Sequence, residues 1–304
     1  MARSAARAAR AAANGDRYLG YLLVAPVLVA LAAITGYPLI YNIWNSFHFD
    51  NLSYGGLPHT FVGIKNYKAV LTNPEWIGGL ERTLVFTAVS IVFDIVVGLA
   101  LALMLHRKFR GRGFLRAAVL VPWAVPTVVS ALLWKTMFDP NAGFVDYFLG
   151  AFHSAWAGLA WLNANTFRSW VAIFIADSWK NIPFVAILLL AGLQVIPGDV
   201  YEAARVDGAT WWQSFRRITL PMLKPALSTA LIFRTLQALL VFDVIYVMTR
   251  GGPGNSTETL SFVNYNTFIL NTDFGVGGAM SLLLVVLALV VSAIYVRAFR
   301  PVTT

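Results

Sequence analysis

Six charged side chains interrupt otherwise apolar stretches of this 304-residue chain: Asp94, Lys135, Asp177, Lys180, Arg234 and Asp243. A charge at membrane depth costs at least about 2.5–3.5 kcal/mol on insertion scales, so each needs a partner, water or a purpose. Two sets form helical stripes. Asp177, Asn181 and Phe184 fall at i, i+4 and i+7, and Arg234, Gln237 and Val241 repeat that spacing, so each set lies on one face of a helix. Carboxylate, amide and guanidinium groups suit recognition of hydroxyls, and an aromatic ring can stack on the flat face of a ligand. The same residues also allow a purely structural reading, in which Asp177 pairs with Lys180 and Arg234 satisfies a neighbouring helix. Asp94 reads as a packing or partner-contact residue, while Lys135 and Asp243 lie near span ends, where snorkelling or local pairing is expected. Other chemistry finds little support. The four histidines, His48, His59, His106 and His153, are dispersed and cysteine is absent, leaving no nucleophile–base or metal-ligand constellation.

The elements that must position these groups are membrane spans. Hydrophobic residues make up 58% of the chain and charged residues 12%, and long uncharged runs recur between short charge clusters. The mean hydropathy of +0.68 agrees. Six segments reach the roughly 20 apolar residues that a crossing helix needs, at about 19–44, 84–106, 114–137, 169–193, 226–248 and 276–296. The expected fold class is therefore an all-α membrane protein with six transmembrane helices. Residues 1–16, rich in Ala and Arg, read as a loose N-terminal tail preceding a six-helix domain over 17–304. The first span follows a basic region, but it exceeds a signal peptide's apolar core and five more spans follow, so it reads as retained.

Positive charge sets the sidedness. Arg3, Arg7, Arg10, Arg17, the cluster Arg107–Arg116, Arg205, Arg216, Arg217, Lys224, Arg297 and Arg300 fall on one side, fifteen in all. Lys65, Lys68, Arg82, Arg168 and Arg250 make five on the other. The positive-inside rule then puts both termini in the cytoplasm. The net charge of +9 is used up in this asymmetry, and no compact basic domain is left to bind nucleic acid.

The cytoplasmic loop 199–224 contains EAARVDGATWWQSFRRITLP. Asp199 with Glu202 predicts a short helix start, and Gly208 a stop in the left-handed conformation. Thr210 and Gln213 have capping-box spacing for a second helix with Trp211, Trp212, Phe215 and Ile218 on one side, ended by Pro221 and Pro225. Physics leaves two readings open, a loop resting on lipid or a docking surface for another protein.

Glu202-Ala203-Ala204, Asp207-Gly208-Ala209 and Ile218, Leu220, Pro221 resemble the EAA loop of ABC-importer permeases of the carbohydrate-uptake branch, typified by the maltose transporter. GIKNYKAVLTNPEW (63–76), LVPWAVPTVVSALLWKTMFDPNAG (120–143) and FDVIYVMTRGGPGNSTETL (242–260) resemble further segments of such permeases, so that the likeness runs over roughly 18–304. The resemblance implies a type I ABC-importer permease fold in the inner membrane, paired with a second permease, an ATPase dimer and an extracytoplasmic sugar-binding protein. It implies that Glu202, Ala203, Ala204, Asp207 and Gly208 couple to the ATPase. It also implies that Asp177, Asn181, Phe184, Arg234, Gln237 and Val241 line the sugar cavity, and that Gly251, Gly252, Pro253 and Gly254 face the binding protein. ATP and Mg²⁺ would belong to the ATPase subunits, with no cofactor bound by this chain; the sequence contains no Gly-Lys pair with which to build a phosphate-cradling loop. A glycerol-phosphate-like substrate stays open, since Arg234 could serve a phosphate. The alternative function is a proton-coupled secondary transporter using Asp94, Asp177 and Asp243, although no inverted repeat is visible. A membrane-embedded enzyme is the weaker rival.

Overall fold

Residues 21–55, 60–153 and 158–298 are described by the computed structural model; the tail 1–16 and the calls on Arg3, Arg7, Arg10, Arg17, His59 and Arg300 lie outside them. Helix α1 covers Tyr21–Ser46. A short hairpin, β1 His48–Phe49 against β2 Thr60–Phe61, follows with His48 opposite Phe61. Then come α2 (Lys65–Thr72), α3 (Pro74–His106), α4 (Arg112–Ala124), α5 (Thr127–Met137), α6 (Phe144–Phe152) and α7 (Thr166–Val195). The loop contributes α8 (Gly198–Val206), α9 (Trp211–Ser214), a π-turn over Phe215–Thr219 and α10 (Leu220–Met222). The chain closes with α11 (Lys224–Leu239), α12 (Asp243–Met248), α13 (Leu260–Tyr265) and α14 (Phe274–Ala298).

Local chemistry sets the ends of the long helices. The Asn73 side chain accepts from the Glu75 N–H at 2.8 Å and Pro74 occupies the first turn of α3, where its missing N–H costs nothing. Asn165 caps α7 in the same way through the Arg168 N–H at 3.1 Å, and the helix stops at Ile196, held extended before Pro197.

Among the described residues five helices are long and apolar enough to cross a membrane, and a sixth span is formed only if α4 and α5 are taken together. The expected straight helix over 114–137 is instead an elbow, with its halves at 91°. Pro126 is the cause: it confines Val125 to an extended conformation and has no N–H to continue the helical ladder. The fifth span also breaks, at 240–242 between α11 and α12.

Helices α3 and α7 make the most extensive helix–helix contact, and α11 packs against both. Small residues allow the approach. A Cβ on Gly98 would sit 2.7 Å from Val185 Cγ1, and one on Gly192 would sit 2.4 Å from Ala226 Cβ. Two apolar clusters fill the α3–α7–α11 bundle. One, around Phe86, Ile173, Ala176 and Ala238, lies at the end away from loop 199–224, and the other, around Ala102, Leu105, Leu189 and Ala230, toward that loop. Helix α1 stays outside this core, with most of its Leu, Val and Ile side chains exposed, which suits contact with lipid or another chain.

Candidate functional site: cavity and loop 199–224

Between the two apolar clusters lies a buried ion triad. Arg234, 0% exposed, donates through Nε to Asp94 Oδ2 and through Nη2 to Asp177 Oδ2. The three residues come from α11, α3 and α7, so the triad joins the three central helices. Asp177 therefore pairs with Arg234 rather than with Lys180, because Arg234 arrives from the facing helix with two donors aimed at carboxylates. Asp94 has a structural partner, as its packing role required.

Asp177 is the member of the triad that reaches a cavity. With Trp123, Thr127, Lys180, Asn181, Leu236, Gln237, Leu240, Val241, Phe242, Asp243 and Val244 it lines a space of about 570 Å³. Asn181 Nδ2 donates to Asp177 Oδ1 at 3.1 Å and to its carbonyl at 2.9 Å, which fixes both side chains. Both broken spans open here, since irregular backbone at membrane depth is tolerated where it lines a cavity or is satisfied by neighbours. At the elbow, Lys180 Nζ donates to the carbonyls of Trp123 at 3.1 Å and Val125 at 2.6 Å. At the second break, Thr259 Oγ1 donates to the Val241 carbonyl at 2.9 Å.

Four of the six expected cavity residues, Asp177, Asn181, Gln237 and Val241, share this lining. Arg234 does not; its charge is taken up inside the bundle. Phe184 lies behind the wall, stacked on Trp123 at 5.3 Å between centroids, with Phe233 edge-on to it at 5.9 Å. Trp123, Thr127, Lys180 and Phe242 join the lining without having been singled out for it. They sit at or beside the two helix breaks, and Pro126 is the one visible sign that the chain turns there. Asp243, expected to pair locally, is exposed to the cavity, whereas Lys135 donates to the Val247 carbonyl at 3.0 Å.

The loop 199–224 is a folded unit. Helix α8 starts at Gly198 after Pro197, with Asp199 in its first turn and making no cap hydrogen bond, so the cap expected of Asp199 is absent. Gly208 has φ +75 and its N–H donates to the Arg205 carbonyl at 3.1 Å, the left-handed stop expected of glycine. Thr210 and Gln213 form both halves of a capping box, at 3.3 and 2.7 Å. Trp211 and Phe215 stack at 5.6 Å and are joined by Trp212. Pro221 does not end this helix: the π-turn just before it absorbs the missing N–H, and α10 carries the chain on to Leu223. A contact that sequence spacing does not reveal closes the unit, the Tyr201 hydroxyl to Thr219 Oγ1 at 3.0 Å. On the outer surface of α8, Glu202, Ala203, Val206 and Asp207 are exposed, and Ala204 is buried. The Glu202–Arg205 pair, 3.8 Å apart and largely solvated, contributes little and leaves Glu202 available.

Residues 249–259 form a turn with left-handed Arg250, Gly251, Gly254 and Asn255. Thr249, Thr257 and Glu258 lie buried beneath it, and Arg82 Nε donates to the Glu258 carbonyl at 2.6 Å. Gly251, Gly252, Pro253 and Gly254 are outside the cavity lining.

The helical bundle thus has two broken spans around a cavity and, beyond it, a folded loop of short helices, an arrangement suited to membrane transport. Residues 94–302 match the model of the binding-protein-dependent transport system inner membrane component family, and the chain belongs to that family. It is 42% identical over 282 residues to a trehalose/maltose transport system permease protein of Thermococcus litoralis, covering 93% of this chain and 94% of the relative. It is 38% identical over 286 residues to a trehalose transport system permease protein of Mycobacterium tuberculosis, covering 93% and 89%. The fold matches a subunit of a bacterial ABC transporter that imports the acidic polysaccharide alginate, with TM-score 0.81 at 23% identity over 95% of this chain and 98% of that one. The chain thus has the ABC-importer permease fold and an inner-membrane location, and the EAA sequence in its loop is typical of such permeases. Family membership gives no support to the secondary-transporter alternative.

Proposed function

We propose that this chain is one of two permeases forming the path of an ATP-driven importer of a di- or oligosaccharide. The observation that carries the proposal is the cavity at the two helix breaks, where Asp177, Asn181, Gln237 and Asp243 offer hydrogen-bonding groups beside the exposed Trp123 indole. Such a mixture suits a ligand with a ring of hydroxyls and a flat apolar face. The trehalose and maltose names of the relatives point the same way. Phe184 holds Trp123 at the wall, and Arg234 holds Asp177, so both act on the sugar through a neighbour.

Glu202, Ala203, Asp207 and Gly208 form the docking half of loop 199–224, and Ala204, expected to share that surface, is buried behind it. The exposed face of α8 meets an ATPase subunit, and the Tyr201–Thr219 bond with the Trp211–Phe215 stack braces it on the membrane domain. ATP and Mg²⁺ are held by the ATPase pair, and this chain binds no cofactor. Both termini face the cytoplasm, and the turn 251–254 receives the binding protein outside. ATP-driven closure of the ATPases and docking of the binding protein bias the same two-state bundle, which is the condition for coupling between distant sites. Purifying the intact complex from its host membrane and identifying the bound small molecule by mass spectrometry tests the substrate class. A di- or oligosaccharide is expected, and a bound amino acid, peptide or metal would overturn the assignment.

A further inference from the structure

The cavity's charge balance is set partly by a residue that the cavity does not contain. Arg234 could have served an anionic group on a substrate, but its Nε and Nη2 are held by Asp94 and Asp177 and none of its surface is exposed. Lys180 lines the cavity, yet its ammonium is aimed at the carbonyls of Trp123 and Val125, whose partial negative charge at the end of α4 offsets part of its own. Asp243 adds a second exposed carboxylate. Taken with their buried partners, Asp94, Asp177 and Asp243 oppose Lys180 and Arg234, three negative charges against two positive. With both carboxylates ionised the triad carries one formal negative charge, in surroundings of low dielectric where that charge acts across a side chain's length.

We infer that Asp94, through Arg234, makes this wall of the cavity refuse anionic solutes and accept uncharged polyhydroxylated ones. Asp94 is a specificity-determining residue that never touches substrate: with it present, Arg234 has no charge to spare and Asp177 faces the cavity as an acceptor for hydroxyl donors. Without it, Arg234 and Asp177 neutralise each other and the repulsion of a phosphate or uronate is lifted. This inference rests on the sugar-importer reading and narrows its substrate to the uncharged class.

The test uses the assembled transporter in lipid nanodiscs, with trehalose and trehalose 6-phosphate as probes that differ by one phosphate, and the ratio of their affinities as the readout. Wild type is expected to favour trehalose, and Asp94→Asn to shift the ratio toward the phosphate by about tenfold, the effect of one screened charge. The double variant Asp94→Asn/Arg234→Gln restores the net negative charge on the triad and should restore the discrimination, which a merely structural role for Asp94 would not do. Should Asp94→Asn fail to assemble, Asp177→Asn removes the same charge from the cavity side and should shift the ratio in the same direction. An unchanged ratio in the variant that assembles would overturn the role of Asp94 while leaving the sugar-importer reading intact. Wild type that binds neither probe nor any other sugar would instead overturn that reading.

Discussion

Glu258 is 5% exposed in the turn 249–259, where burial pushes its carboxyl above the ordinary value of 4.5 and the neighbouring Glu75 adds to the shift, against a smaller opposing effect of Arg82. Between the ordinary and the raised value the folded protein keeps a proton that the unfolded chain has released, so stability falls as pH rises through that window and stays lower above it. Glu258→Gln removes the titrating group while keeping an acceptor for Asn266 Nδ2, which lies 3.2 Å from Glu258 Oε1. The variant's thermal midpoint should vary less with pH from 4.5 upward and exceed that of wild type at neutral pH; a pH profile parallel to wild type would contradict this. At this scale the sequence was informative about residue type and less so about pairing. The spacing that puts Asp177, Asn181, Gln237 and Val241 along two helix faces is visible in one dimension, and these four do share the cavity. That Arg234 turns inward is not visible, because its partners Asp94 and Asp177 are 140 and 57 residues away.

The elbow between α4 and α5 depends on Lys180, which satisfies two carbonyls that a continuous helix would have bonded itself. Lys180→Met keeps the length of the side chain and leaves those carbonyls unpaired. It should destabilise the purified permease by about 2–3 kcal/mol, since unsatisfied buried acceptors cost about 1–3 kcal/mol each and this pair is partly solvated. Unfolding in denaturant gives the number, and a loss under about 0.5 kcal/mol would show that the elbow holds without it. The α7–α11 contact depends on the absence of a side chain at Gly192, where a Cβ would also meet Leu223 Cδ1 at 2.9 Å. Gly192→Val should force the helices apart and cost about 1–3 kcal/mol as overpacking, or more where backbone must shift. Assembly yield at the wild-type level would contradict it. Hydropathy located the five long apolar helices among the described residues, yet it smooths over breaks: Pro126 lies within a run apolar enough to pass as one straight helix. The π-turn before Pro221 is not legible in the sequence for a related reason, since a proline marks a missing hydrogen bond without saying whether the backbone stops or adapts.

For the molecule as a whole, the bundle borders a cavity among helices tied by an ion triad, and the loop 199–224 packs against it on the side richest in Lys and Arg. The loop was the most legible part of the chain. Its capping box and glycine stop are short-range features, set by residues within a few positions of one another. The brace between Tyr201 and Thr219 needed the folded structure. In the proposed coupling this loop transmits ATP-driven motion to the cavity, and Gly208 is the residue on which that transmission turns. Proline there cannot adopt φ +75 and has no N–H for the Arg205 carbonyl, so the turn between α8 and α9 must change while the spans are untouched. The direct measurement is trehalose uptake into proteoliposomes carrying the assembled transporter, with ATP on the loop side and binding protein on the other. Gly208→Pro should insert and assemble yet lose uptake by about tenfold or more, within the range of coupling free energies between distant sites. Uptake at the wild-type rate would contradict the account.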